Sequence, residues 1–148
     1  MMIPFVFAAV SLMAEPSLAA RVDAMERQYD IAQAELLAKE LRLTAQLDAS
    51  ERNLLLARCA LNVAEIKRID FERTPTEDRA QRQAIGKAID AAADEALSDL
   101  ANAPETSETW RVRADAYGVK IRSNYQAQRY HKDMEDATAR ARALDPKN

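Results

Sequence analysis

The side chains that could take part in catalysis are few and are scattered along the sequence. The chain has one histidine, His131, and one cysteine, Cys59. A histidine that acts as a general base needs an orienting partner and a nucleophile, and the sequence around His131 places no serine or cysteine for that purpose. Cys59 belongs to a strongly apolar segment, which favours a small buried hydrophobe over a nucleophile. With one histidine and one cysteine, we also expect no transition-metal site.

We therefore predict that the protein is not an enzyme, has no catalytic residues and needs no cofactor. Its two glycines, Gly86 and Gly118, are single and far apart, so they form no glycine-rich loop that could hold a phosphate. An enzyme that uses His131 with aspartate or glutamate side chains stays an alternative. It would require His131 and two carboxylates to converge in one deep pocket.

The sequence contains a group of side chains better suited to recognition than to catalysis. The group consists of Arg111, Arg113, Lys120, Arg122, Asn124 and Arg129. On one predicted helix, Arg111, Arg122 and Arg129 fall near the same angle, and the other three line the opposite flank of an aromatic stripe. Arginine suits the recognition of carboxylates because its planar guanidinium donates two parallel hydrogen bonds. The simpler interpretation is that both edges pair with acidic side chains of neighbouring helices.

The composition indicates which elements must carry these side chains. The chain has 148 residues, 30 of them alanine, against two glycines and five prolines. Such a composition favours helices and argues against a turn-rich β-sandwich or barrel. The length suits one domain of ordinary size. Because 21 basic residues face 24 acidic ones, for a net charge of −3, we expect no binding to nucleic acid through bulk charge.

Hydrophobic spacing and capping patterns predict five helices. Apolar residues recur three and four positions apart over residues 18–47, which predicts one long first helix. Asp48 caps a second helix over 49–71, whose apolar residues cover more than one face, so we expect it in the middle of the fold. A third helix should run from a capping box at 74–77 to about residue 102. A fourth follows Thr106 or Ser107 and extends through Tyr125, and a fifth ends at Leu144.

The N-terminus has the features of an export signal. Residues 3–14 form an uncharged apolar run of 12 residues, too short to span a bilayer as an ordinary helix. Ser17 and Ala19 fit a small-x-small pattern, which predicts cleavage after Ala19 or Ala20, although no basic residue precedes the run. We expect a signal peptide at 1–19, one helical domain at 20–148 without a membrane span, and a periplasmic or secreted mature chain. An uncleaved hydrophobic segment or a different start codon is the alternative.

The end of the chain resembles a tetratricopeptide repeat. Trp110, Ala114, Tyr117 and Gly118 are followed by a second helix that ends with Leu-Asp-Pro at residues 144–146. In that family an aromatic and a small residue of the first helix pack against the second helix, and a proline ends the unit. The stretch from the tryptophan to the proline is about eight residues longer than the 34-residue repeat of the family.

This resemblance implies an all-α fold in which antiparallel helical hairpins stack as a short right-handed array over residues 20–148. A closed helical bundle is the alternative. It also implies that the first helices of the hairpins line a groove for a protein or peptide. The six cationic and amide side chains would hold carboxylates there, together with Asn62 from the weakly similar stretch at 56–63. On this hypothesis the protein is an exported, non-enzymatic adaptor or assembly factor.

A structural role is the competing hypothesis. The first helix carries an apolar stripe made of Val22, Met25, Tyr29, Ala32 and Leu36. Its spacing also fits a coiled-coil seam, which would join two copies of the chain in a homo-oligomer without a ligand groove. Pairing of Arg111, Arg122 and Arg129 within the chain, together with an exposed stripe, would favour this role.

Overall fold

The computed structural model describes residues 15–147, and every regular element in that range is a helix, as the composition predicts. The helices are α1 (Leu18–Met25), α2 (Ile31–Leu43), α3 (Ala49–Arg73), α4 (Arg79–Leu100), α5 (Ser107–Val119) and α6 (Asn124–Leu144). The apolar run at 3–14 lies outside the described residues. Ala19 and Ala20, where cleavage is predicted, belong to the first turn of α1. Between residues 15 and 147, no helix combines the length and the apolar character needed to cross a membrane.

The prediction of one long first helix is wrong, because a turn at residues 26–30 separates α1 from α2. Tyr29 has a φ of 50°, in the left-handed region. Asp30 then caps α2, and its side chain accepts a hydrogen bond from the Gln33 N–H. The apolar stripe is divided accordingly: Val22 and Met25 are buried, whereas Tyr29 and the stripe residues that follow it are exposed. No continuous coiled-coil seam therefore runs over residues 18–47.

Two further helix boundaries differ from the predicted ones. The fourth predicted helix ends at Val119 instead of continuing through Tyr125, and Ser123 caps α6 by accepting from the Gln126 N–H. The start of α4 is capped by Asp78, so the capping box predicted at 74–77 is wrong. The predicted caps at Asp48 and Thr106 are confirmed, since each side chain accepts a backbone N–H of its helix.

Helix α3 lies in the middle of the fold, in contact with α1, α2, α4 and α5. On one side, its residues Leu55, Leu56 and Cys59 pack with α1 and α2 in one apolar cluster. On another side, Leu54 and Leu61 belong to a second cluster that includes residues of α4 and α5. The prediction from its many apolar residues is confirmed, because a helix that is apolar on two sides is covered on two sides.

The helix contacts follow the pattern of three hairpins in an open row: α1 with α2, α3 with α4, and α5 with α6. The first helices touch in sequence, α1 with α3 and α3 with α5, and each of the first two second helices packs on the next first helix. Between residues 15 and 147, α6 packs against α5 alone, and the second helices do not pack against one another. An ion pair of 2.5 Å between Arg42 and Glu95 bridges the space between α2 and α4.

Alanine accounts for the close approach of the helices in the two clusters. Ala57, Ala64, Ala93, Ala96 and Ala116 are all fully buried where α3, α4 and α5 meet. A larger side chain at such a position would have to displace a neighbouring helix, because protein interiors are close-packed. The high alanine content of the sequence therefore allows close helix packing as well as favouring helix formation.

The turn at Tyr29 yields a test of backbone strain. Because a left-handed φ costs a residue with a Cβ more than it costs glycine, Tyr29→Gly should raise the free energy of unfolding by about 0.5–1 kcal/mol. The tyrosine side chain is 64% exposed, so its removal should cost little packing. The measurement is urea unfolding followed by circular dichroism. The control is Gln28→Gly, which should lower stability because φ at Gln28 is not positive; equal effects of both changes would contradict the expectation.

Candidate functional site

Arg58 joins the three first helices on one face of the row. Its guanidinium lies 2.6 Å from Asp23 and 2.7 Å from Glu26 at the end of α1, and 3.2 Å from Glu108 on α5. The Arg58 side chain is 9% exposed, so these contacts replace most of its water. Glu26 and Asp23 accept hydrogen bonds from Nε and Nη2 of Arg58, and Nη1 forms an ion pair with Glu108. These contacts hold α1, α3 and α5 side by side. We call the surface around these residues the first-helix face.

Next to Arg58, a cleft of about 140 Å³ runs between α3 and α5. Its α3 wall is formed by Arg58, Asn62 and Glu65, and its α5 wall by Arg111 and Asp115. Spacings of three and four residues put each set on one side of its helix. Because Arg58 pairs with the start of α5 and Glu65 lies near Asp115 further along, the two helices run parallel here. This cleft is called the α3–α5 cleft.

The α3–α5 cleft contains one buried hydrogen-bond acceptor without a donor. Asn62 is 3% exposed, and its Oδ1 has no hydrogen-bond partner. Within residues 15–147, the Glu65 carboxylate forms no ion pair. Glu65 is exposed, but partial desolvation by neighbouring groups raises the pKa of its carboxyl above the usual value, and the nearby charge of Asp115 raises it further. Burial also raises the pKa of Asp115, although Arg111 at 3.3 Å opposes that rise. Keeping both carboxylates charged therefore lowers the free energy of unfolding.

Two of the seven predicted recognition residues, Asn62 and Arg111, lie together in this cleft. Three others face α4 and are used within the chain. Lys120 is 5% exposed and pairs with Asp94. Arg122 donates two hydrogen bonds of 2.9 and 2.8 Å to Asp90. Arg113 donates to the Leu100 carbonyl oxygen at 3.0 Å and lies over the Trp110 ring.

The last two predicted residues, Asn124 and Arg129, are exposed on α6, where Arg129 lies 5.1 Å from the Tyr130 ring centre. The predicted alignment of Arg111, Arg122 and Arg129 on one helix is wrong, because α5 ends at Val119. Angular positions on a helical wheel hold only within one helix, so they do not extend across the turn to α6. The seven residues therefore do not form one site.

Arg58, Glu65 and Asp115 were not among the residues predicted from the sequence. A signal for two of them exists: within the apolar stretch 54–66 of α3, the polar residues are Arg58, Asn62 and Glu65, at spacings of four and three. A single polar stripe on a central helix indicates a face left open between its neighbours. Asp115 has no such signal, because charged residues lie on several sides of α5.

The residues considered for catalysis lie apart from the α3–α5 cleft. His131 is exposed on α6, with its Nε2 3.0 Å from Glu135. Cys59 is 1% exposed, and burial raises the pKa of its thiol to about 12, so the unreactive thiol form predominates at neutral pH. No cluster of histidine, cysteine, aspartate or glutamate that could hold a metal ion is found among residues 15–147.

A separate basic cleft of about 440 Å³ lies between the end of α3, α4 and the start of α6. Its arginines are already used within the chain. Arg82 donates to the carbonyl oxygens of Phe71 and Thr74, and Arg122 pairs with Asp90. Lys87 also lines this cleft and is exposed.

Comparisons with protein-family models, with curated proteins and with solved structures find no match to this chain. The resemblance of residues 106–148 to a tetratricopeptide repeat therefore stays a prediction.

The raised pKa of Glu65 gives a pH-dependent stability test. The folded chain binds a proton at Glu65 more tightly than the unfolded chain, so this group lowers stability as the pH rises above the usual carboxyl pKa of about 4.3. Glu65→Gln should therefore raise stability at pH 7 by about 0.5 kcal/mol, the range of surface substitutions. The gain should fade as the pH approaches 4.

The measurement is thermal unfolding between pH 4 and pH 7. Glu77→Gln, in the exposed connection between α3 and α4, is the control and should leave the pH dependence unchanged. A Glu65→Gln variant less stable than the wild type at pH 7 would show that the carboxylate stabilises the fold.

Proposed function

We propose that this protein is a non-enzymatic scaffold that binds a linear segment of a partner protein along the first-helix face. The observation that carries this proposal is Asn62, 3% exposed beside the α3–α5 cleft with an Oδ1 that lacks a donor. A buried acceptor without a donor costs about 1–3 kcal/mol. A backbone or side-chain N–H of a bound segment would remove that cost, so the fold gains from an occupant.

The shape of the first-helix face supports a linear occupant. The α3–α5 cleft shares Glu65 and Asp115 with a wider cleft of about 300 Å³ that is bordered by Met134 and Thr138 of α6. Together they form a trough along α5. A trough of this kind suits an extended chain with side chains in successive pockets, rather than a globular surface.

The open row of three hairpins supports the same proposal. In the tetratricopeptide repeats that the C-terminal region resembles, the first helices of successive hairpins line the binding groove. Here α1, α3 and α5 touch in sequence and carry the polar cleft. With a leader at 1–19 that directs export, the scaffold would act as an adaptor or assembly factor in the periplasm or outside the cell.

The test is selection of linear peptides from a random display library on the purified chain, followed by calorimetry of the enriched peptides. Arg111→Trp places a large ring over the α3–α5 cleft from a side chain that is 50% exposed, so its effect on folding should be small. We expect it to weaken binding about tenfold or more, which corresponds to losing one anchoring contact.

Lys132→Trp is the matched control, because it makes a similar change at an exposed position of α6 that lines none of these clefts. It should leave the affinity unchanged. Equal binding to both variants, or a library from which no sequence is enriched, would overturn the proposal.

A homo-oligomer is the second candidate function, and exposed apolar side chains on α2 favour it. Leu36 and Leu43 are 59% and 78% exposed and lie seven residues apart, so they share one side of the helix. If two chains associate there, Leu36→Glu with Leu43→Glu should convert a dimer into a monomer in light-scattering measurements of molar mass. A wild type that stays monomeric at 100 times the concentration used in the peptide-binding measurements would exclude this function.

A further inference from the structure

The first-helix face carries more negative than positive charges. Five carboxylates surround the α3–α5 cleft and its end at Arg58, those of Asp23, Glu26, Glu65, Glu108 and Asp115, against the three guanidinium groups of Arg58, Arg68 and Arg111. The local excess is two negative charges. A concave site lined by one sign of charge concentrates the opposite charge from solution.

The three cations of this face are already engaged, Arg68 by Glu72 at 3.7 Å. Arg58 contacts three carboxylates within 3.2 Å, and Arg111 lies 3.3 Å from Asp115. The groups without a partner among the described residues are acceptors: the buried Oδ1 of Asn62 and the exposed carboxylate of Glu65. What the cleft lacks is therefore a hydrogen-bond donor with a positive charge.

A carboxylate from a partner fits this cleft poorly. It would add negative charge beside Glu65 and Asp115, and it would bring acceptors to a site that has acceptors in excess. The cations predicted to bind such a carboxylate, Lys120 and Arg122, pair with aspartates of α4 instead. The charge preference expected from the sequence is thus reversed at this site.

We infer that the bound segment places a lysine or arginine side chain in the α3–α5 cleft, where Asn62 Oδ1 and the carboxylates of Glu65 and Asp115 accept its N–H groups. This inference rests on the proposed function and specifies its partner chemistry. The cleft, at about 140 Å³, has room for a side chain but not for a helix, whose diameter is about 10 Å. Asp115 becomes available because Arg111, half exposed, can turn to solvent.

Small probes test this inference independently of any peptide. The isotopically labelled chain is titrated with Nα-acetyl-arginine N-methylamide and with the lysine, citrulline and glutamate analogues, while the side-chain amide signals of Asn62 are followed by NMR. We expect saturable shifts with the arginine or lysine probe and about tenfold weaker binding of citrulline, which keeps the shape of arginine without its charge. The lower of the two dissociation constants identifies the preferred base.

Variants of the protein test whether the basic probes bind in the α3–α5 cleft. Glu65→Gln should weaken the arginine or lysine probe about tenfold while the fold remains stable, because one charge-assisted hydrogen bond is lost. Glu135→Gln removes a carboxylate from the exposed side of α6 and should change nothing. Equal binding of citrulline and arginine, a shift of Asn62 by the glutamate probe, or full affinity in Glu65→Gln would overturn the inference.

The two proposals fail in different ways. Peptides that bind the wild type but not Arg111→Trp, combined with basic probes that leave Asn62 unshifted, would retain the peptide scaffold and exclude the basic side chain. Shifts of Asn62 by a basic probe, combined with a library that yields no peptide, would retain a site for basic groups and exclude the peptide scaffold.

Discussion

The position of α3 between four other helices is the constraint on which the rest of the structure depends, because it buries polar side chains of that helix beside α1 and α5. Leu55 and Leu56 pack toward α1 and α2, and Leu61 packs in the cluster with α4 and α5. Between these two sides, α3 carries Arg58 and Asn62, which are almost fully buried. Polar groups in such a position need partners, so the adjoining ends of α1 and α5 must supply carboxylates.

The cluster around Arg58 contributes more to arrangement than to net stability. Removing the guanidinium from water costs about as much as its attraction to three partly exposed carboxylates returns. The cluster fixes which part of α5 lies beside which part of α3, since it joins Arg58 to Glu108 in the first turn of α5. That register brings Glu65 next to Asp115 and so creates the cleft with its unpartnered acceptor.

The balance of charge over the whole chain conceals a separation of charge between its faces. Cations of α5 and the following turn, Lys120 and Arg122, are neutralised by Asp94 and Asp90 on the side that faces α4. Carboxylates remain in excess on the first-helix face. A protein with a net charge of only −3 can therefore present a cleft with a local excess of negative charge. The local charge of this face, rather than the net charge, determines which groups it attracts.

The sequence by itself determined that the chain is helical, that α3 is central, and that helices begin after Asp48 and Thr106, because these follow from composition, local periodicity and capping. It also contained the capping pairs Asp30 with Gln33 and Ser123 with Gln126, which mark the breaks that an uninterrupted apolar spacing concealed. Only the tertiary structure decided which charges pair. Arg122 meets Asp90 from 32 positions away, and such a choice depends on how whole helices pack, which no local pattern encodes.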